Sequence, residues 1–336
     1  MRRSIMVYGL VLGIVGAGHA QIKLSGDSAV VFATAEQGKK ILMARDDFVR
    51  ALSPFDRAAR VKTDRDVSEE AFLEFVGRNV LDWTDAEKAS LTSALDSLQA
   101  PLGRLALPWP KVIYAVKTTG KEEGGVPYTR GEALVLPRSV LGPNRGLSPT
   151  LICHELFHIL SRSNPDLRER LYAAIGFVKC TEIEFPETLR SRKLTNPDAP
   201  ANDHCIRVQV NGADVWAVPI LFSRTEKYDV QRGGDFFRYM QFQFLLVERE
   251  GDSPNLKPAP QGQPPRLVRE SQVIGFFEQV GRNTQYIIHP EEILADNFAS
   301  LVLSERNVPS PEILHKLQEA LAQKPPADQS RKTGQG

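Results

Sequence analysis

The stretch that decides the reading is LICHELFHIL, residues 151–160, with His154, Glu155 and His158 at its centre. Ser148-Pro149 just before it supplies an N-cap and a proline at the first helical position, which predicts a helix from about 149 through Leu160. Successive helical residues turn by about 100°, so His154 and His158 lie about 40° apart, one turn above each other, and both imidazoles can reach one ion. Glu155 falls about 100° from His154, at the edge of the same cleft. Ile152, Cys153, Leu156, Ile159 and Leu160 take the opposite side, an apolar back that can pack into a core.

Two histidines make an incomplete site, because catalytic zinc usually takes three protein ligands and keeps a position for water. The third is sought in HPEEILADNFASLV, 289–302, a helix opened by Pro290. Glu292 and Asp296 are four residues apart and share a face, with Ala299 and Leu303 continuing that side and the small Ala299 permitting close helix approach. Glu292 is therefore expected to bind the ion, while Asp296 accepts the outward N–H of a ligating histidine and fixes its tautomer. Glu291 competes for the ligand role, and acidic residues in a first helical turn also complement the helix dipole. His289 is a competing third ligand or an N-cap beside the metal.

The two motifs together resemble the gluzincins, the thermolysin-like zinc metallopeptidases, which share HExxH on one helix and a glutamate ligand on a later one, often as ExxxD or ExxAD. Here these stand as His154-Glu155-Leu156-Phe157-His158 and Glu292-Ile293-Leu294-Ala295-Asp296. The resemblance implies Zn2+ on His154, His158 and Glu292, Glu155 as general base and Asp296 as the group that orients a ligand. It also implies a zincin-like catalytic domain and an oxyanion donor facing the metal. Tyr286 and His289 are the local candidates for that donor; His204 and Tyr228 are more remote ones. It covers two short helices, and thermolysin itself places its glutamate much closer to HExxH than this chain does, so the fold of the intervening stretch is not inherited from any one relative.

The rest of the chain predicts an α+β fold. Residues 21–110 are expected to be a helical N-terminal region, with Asp66/Glu69 and Thr84/Glu87 spaced as reciprocal helix caps. KVIYAVK (111–117) and EALVLP (132–137), parted by the turn-forming GKEEGG, read as strands, and EALVLP is a candidate edge strand for an extended peptide. A second helix is expected at 165–175. A β-rich insertion then runs over 178–270, in which Asn211-Gly212 joins CIRVQV to ADVWAVPILF as a hairpin and FFRYMQFQFLLVE (236–248) is extended. Residues 251–266, rich in proline and glycine, read as a loop. Helices near 271–281, 290–304 and 310–323 close a zincin-like domain spanning 111–323, and 324–336 reads as a disordered tail.

With 336 residues, 42% of them apolar, the chain can bury a substantial core. Its formal charge is +1, to which Arg2 and Arg3 contribute, so nothing suggests a nucleic-acid partner. MRRSIMVYGLVLGIVGAGHA, 1–20, has the basic start, apolar middle and small-residue end of a cleaved signal peptide, which points to secretion or the periplasm; an uncleaved anchor is the alternative. No other segment is long and apolar enough to span a bilayer. In an oxidising compartment Cys180 and Cys205 could pair, leaving Cys153 in the helix, or all three could be reduced core thiols.

The function expected is hydrolysis of peptide bonds in a peptide or protein substrate. A zinc amidase acting on cell-wall material and a non-catalytic envelope protein on a zincin scaffold are the alternatives. Glu155 argues against the last, since a purely structural zinc has no use for a base.

Overall fold

The computed structural model describes residues 21–142, 146–249, 256–257 and 264–323. The expected signal peptide, most of the 251–266 loop and the 324–336 tail lie outside those residues. Strands β1 (Gln21–Ser25) and β2 (Ser28–Phe32) lead into helices α1 (Ala35–Leu42), α2 (Asp47–Ala51), α3 (Pro54–Val61) and α4 (Glu69–Arg78). Then come β3 (Val80–Leu81), the long α5 (Asp85–Gly103), β4 (Val112–Thr118), β5 (Tyr128–Arg130) and β6 (Ala133–Pro137). The next elements are α6 (Pro149–Ser163), α7 (Pro165–Ala174), β7 (Phe177–Lys179) and α8 (Glu187–Arg190). Strands β8 (His204–Val210), β9 (Ala213–Ser223), β10 (Met240–Arg249), β11 (Leu256–Lys257) and β12 (Leu267–Val268) follow, and α9 (Phe277–Val280), α10 (Pro290–Val302) and α11 (Pro311–Ala322) close the series.

The fold is α+β, built on two sheets. The first runs β1-β2-β4-β6-β5, with β3 also paired to β4; it is mixed, because β2–β4 and β4–β6 are parallel while the outer pairs are antiparallel. The expected helical N-terminal region thus also supplies three strands to the sheet that leads into α6. Strands of two or five residues such as β1 and β3 carry too little periodicity to be distinguished from loop in the sequence. The second sheet is antiparallel, β11-β10-β9-β8-β7, with β12 on β10. Its β8–β9 hairpin turns at Asn211 and Gly212, both with positive φ (52° and 79°), the backbone that an Asn-Gly two-residue turn adopts most readily.

Helix α6 sits at the centre, packed on β5 and β6 and against α5, α7 and α10. Ile152, Cys153, Leu156, Ile159 and Leu160 are all fully buried, as the apolar back requires. Ser148 Oγ accepts the Leu151 amide and Pro149 opens the first turn. On α10 the buried Ala295 and Ala299 keep the helix surface low, and Phe298 meets Phe157 of α6 with ring centroids 5.4 Å apart. That contact holds the two helices together behind the polar residues they share.

Three local expectations are corrected. EALVLP is not an edge strand: β6 lies between β4 and β5, and the three-residue β5 forms the edge instead. The cap of α4 is Ser68, whose hydroxyl accepts the Ala71 amide, rather than Asp66, because the intervening Val67 turns into the core. The helix expected near 271–281 is only the one-turn α9, since Ile274 exchanges backbone bonds with Gln209 and Gly275 takes φ +85°. Thr84 and Glu87 do form the reciprocal cap of α5. Cys180 and Cys205 fall in one apolar cluster beneath the second sheet. Burial pushes the Cys153 thiol up to about 12, which leaves it unreactive. Among the described residues, no helix is long and apolar enough to cross a membrane.

Candidate metal centre

Helices α6 and α10 bring three ligand atoms to one point. His154, His158 and Glu292 each offer an atom, and the three lie within 4.8 Å of one another. Glu292 Oε2 stands 3.1 Å from His154 Nε2 and 3.6 Å from His158 Nε2, so both rings present Nε2 inward. The outward nitrogens are each taken by a carboxylate: His154 Nδ1 by Asp296 at 2.8 Å, His158 Nδ1 by Glu291 at 3.1 Å. This arrangement fixes both tautomers and keeps both Nε2 lone pairs directed at the same spot.

Each carboxylate is itself held. Asn196 Nδ2 donates to Glu292 Oε1 at 2.5 Å, leaving Oε2 for the inward point. Thr284 donates to Asp296. Glu291 Oε2 accepts from Ser161 Oγ at 2.8 Å and Tyr172 OH at 2.5 Å. Burial alone would raise Glu292 and Glu291, but the neighbouring imidazoles outweigh it and hold both carboxyls below their usual range. Burial lowers both imidazoles, but Asp296 and Glu292 raise His154, and Asp198, Glu292 and Glu291 raise His158, above the usual histidine range.

The donor set fits a divalent cation. His158 Nε2 is buried and has no hydrogen-bond partner, and Glu155 Oε2 is in the same condition. An imidazole pair and a carboxylate converging on a buried point, with anions behind both rings, is a ligand set of the kind borderline divalent metals take. A cation there would take the place of any proton on the two Nε2 atoms and leave the Nδ1–H bonds to Asp296 and Glu291 intact.

No family model, curated protein or solved structure matches the chain. The site is therefore characterised by its own geometry.

Glu155 is 4% exposed and lines the cleft beside the metal point. Burial, and next the nearby Asp198, push its carboxyl up, the direction that suits a group that must take and return a proton near neutrality. The cleft is about 650 Å³. His154, Glu155, Asn196, Glu292 and Asp296 form its polar wall, and Val126, Leu194, Phe236, Phe237 and Met240 form an apolar one.

Tyr286 reaches this cleft, its ring stacked on His154 at 6.4 Å and 28°. His289 does not. It is the N-cap of α10, with Nδ1 accepting the Glu291 amide at 3.1 Å, and it faces a separate cavity behind the helix. His204 lies in that rear cavity as well, between Asp203 and Glu169, and the Tyr228 hydroxyl donates to the Gly234 carbonyl. Of these four residues, Tyr286 is the one that lines the cleft.

Three site residues escaped the sequence reading: Glu291 in its actual role, Asn196 and Asp198. Asn196 and Asp198 sit in Thr195-Asn196-Pro197-Asp198-Ala199-Pro200, between α8 and β8. Pro197 between the two hydrogen-bonding side chains and Pro200 just after them signal a rigid loop. Nothing in the spacing ties that loop to HExxH.

Proposed function

We propose that the chain is a zinc-dependent metallopeptidase, exported through its N-terminal leader, that hydrolyses peptide bonds by activating water. The convergence of His154 Nε2, His158 Nε2 and Glu292 Oε2 beside the buried, unpartnered Glu155 carboxylate carries this reading. The likeness of the two motifs to those of the gluzincins supports it. When bound, zinc supplies Lewis acidity that polarises a substrate carbonyl and makes water easier to deprotonate.

The chain's own residues do the rest. Glu155 takes a proton from the attacking water and passes it to the leaving nitrogen as the carbon–nitrogen bond breaks. Asp296 and Glu291 keep the two imidazoles in the tautomer that leaves Nε2 free to bind. Tyr286 is 38% exposed, but the local desolvation of its hydroxyl, with Glu292 adding to it, raises that group above the usual tyrosine range, so it stays a donor and can serve a carbonyl oxygen as charge develops there.

The test is elemental analysis of the purified protein, followed by digestion of a peptide library with and without chelator. One equivalent of zinc and chelator-sensitive cleavage are expected. Zinc-loaded protein that leaves every peptide intact but releases amine from cell-wall material would move the assignment to an amidase.

A further inference from the structure

Asp198 lies in the cleft, and neither the ligand set nor the proposed hydrolytic step uses it. One of its carboxylate oxygens lies within 4.8 Å of ligand atoms of both Glu155 and His158, but it does not belong to the His154–His158–Glu292 set. It therefore stands beside both the base and a histidine of the ligand set. Its side chain is 9% exposed and rigidly placed: Oδ1 accepts from the Thr129 amide at 2.8 Å and from Thr129 Oγ1 at 2.5 Å. Arg162 approaches the same Oδ1 from the rear cavity at 3.9 Å, with its guanidinium committed to Thr129 Oγ1 and to the carbonyls of Gly131, Pro197 and Asp198. No described residue donates to the other oxygen.

Arg130, Arg162, Arg168 and Lys193 line the rear cavity that Asp198 also borders, but on the cleft side the charge is one-sided. Glu123, Glu155, Asp198, Glu292 and Asp296 line the cleft, and among the described residues no lysine or arginine does. Three of the five carboxylates already have partners: Glu123 in Arg60 at 2.7 Å, Glu292 in Asn196 and the imidazoles, and Asp296 in His154 and Thr284; Glu155 is taken up, in the peptidase reading, by proton transfer. Asp198 is left with one oxygen unused. A largely buried carboxylate gains most from a cationic hydrogen-bond donor, and on the cleft side no described residue supplies one.

Building on the peptidase reading, we propose that Asp198 binds a primary ammonium group of the substrate, the free amino terminus of the residue whose carbonyl is attacked. In an amino acid the nitrogen and the carbonyl carbon are separated by two bonds of about 1.5 Å each, which matches an anchor placed next to both the base and a metal ligand. A lysine ammonium, four methylenes further out, has to fold back to reach the same place. The cleft thus selects peptide ends and removes single amino-terminal residues.

Zinc-loaded Glu155→Gln protein, which holds a peptide without turning it over, provides the test. Calorimetry compares three matched peptides: one with a free amino terminus, the same peptide acetylated, and the acetylated peptide carrying lysine beside the scissile bond. The free peptide is expected to bind at least about 10-fold more tightly than the acetylated one. Adding Asp198→Asn is expected to shrink that ratio to under about 2-fold, with zinc content and circular dichroism unchanged. Equal affinity for the three peptides, or binding of none, overturns the proposal, and this comparison needs no Asp198 variant to fold. A lysine peptide that binds as tightly as the free one assigns the ammonium to a side chain and overturns the amino-terminal assignment. If the ratio holds but wild-type protein cleaves none of the peptides, Asp198 keeps its role and the peptidase reading fails.

Discussion

Glu291 and Glu292, adjacent in sequence, approach opposite edges of the same imidazole: Glu291 Oε1 lies 3.1 Å from His158 Nδ1, and Glu292 Oε2 lies 3.6 Å from Nε2. Neighbouring helical residues diverge by about 100°, and α10 uses that divergence to place one carboxylate at the metal point and the other behind a ligand. Removal should therefore have unequal effects. Glu292→Ala is expected to leave no stoichiometric zinc. Glu291→Ala is expected to retain the ligand set but weaken metal affinity by about 10–100-fold, the usual cost of losing the partner that orients a ligand histidine. Competition against a chromophoric chelator measures both, and equal affinities in the two variants would show that the ligand has been misassigned.

Glu155→Gln separates base from ligand. The amide keeps the size of the side chain but cannot accept the water's proton at neutral pH. Zinc content should match wild type while turnover falls by about 10²–10⁴-fold, the range a positioned general base contributes. Steady-state hydrolysis of a peptide found in the library digest provides the measurement. Unchanged turnover in a zinc-loaded variant would remove Glu155 from the mechanism.

Much of this centre was legible because helical periodicity maps spacing onto direction. His154 with His158, and Glu292 with Asp296, are four apart on helices whose starts are marked by Ser148-Pro149 and His289-Pro290, and the structure brings these four side chains together. Periodicity is silent about loops. Asn196 and Asp198 enter the site through tertiary contacts with Glu292 and Thr129, separated from them by long stretches of chain, and no local pattern encodes such a meeting. His289 shows a different limit. As an N-cap its ring direction depends on which amide it accepts, so a residue three positions before a ligand turned out to face the opposite side of the helix.

His289 also makes the protein sensitive to acid. Burial lowers its pKa from the ordinary 6.5 to about 4, and as the cap of α10 its Nδ1 must stay unprotonated to accept the Glu291 amide. Between those values the unfolded chain binds a proton that the folded chain refuses. The contribution is thus intact above pH 6.5 and is lost as pH falls toward 4. The shift corresponds to about 3 kcal/mol at most. His289→Asn keeps a capping side chain that does not titrate, and should lose less stability than wild type between pH 7 and pH 4. Urea unfolding of chelator-treated protein at the two pH values tests this, and identical losses would exclude His289 as a source of acid sensitivity.

A buried ion cluster ties the N-terminal helices to the site. Arg60 on α3 is 1% exposed; it pairs with Asp56, donates to Glu123 at 2.7 Å and reaches the Thr195 carbonyl at 2.9 Å, next to Asn196. Asp56 in turn accepts the Thr195 amide at 2.9 Å, so both charges grip the loop that steadies Glu292. Arg60→Met leaves two buried carboxylates without their cation and is expected to cost about 3–5 kcal/mol. It should also loosen zinc, because Asn196 loses its fixed position. The double variant Arg60→Met/Glu123→Gln removes one of the stranded charges, and should recover part of the stability but none of the lost zinc affinity, which depends on the missing bond to Thr195. Denaturant unfolding and chelator competition on the same two proteins separate the effects. Full zinc affinity in Arg60→Met would show that α3 supports the fold without positioning the metal centre.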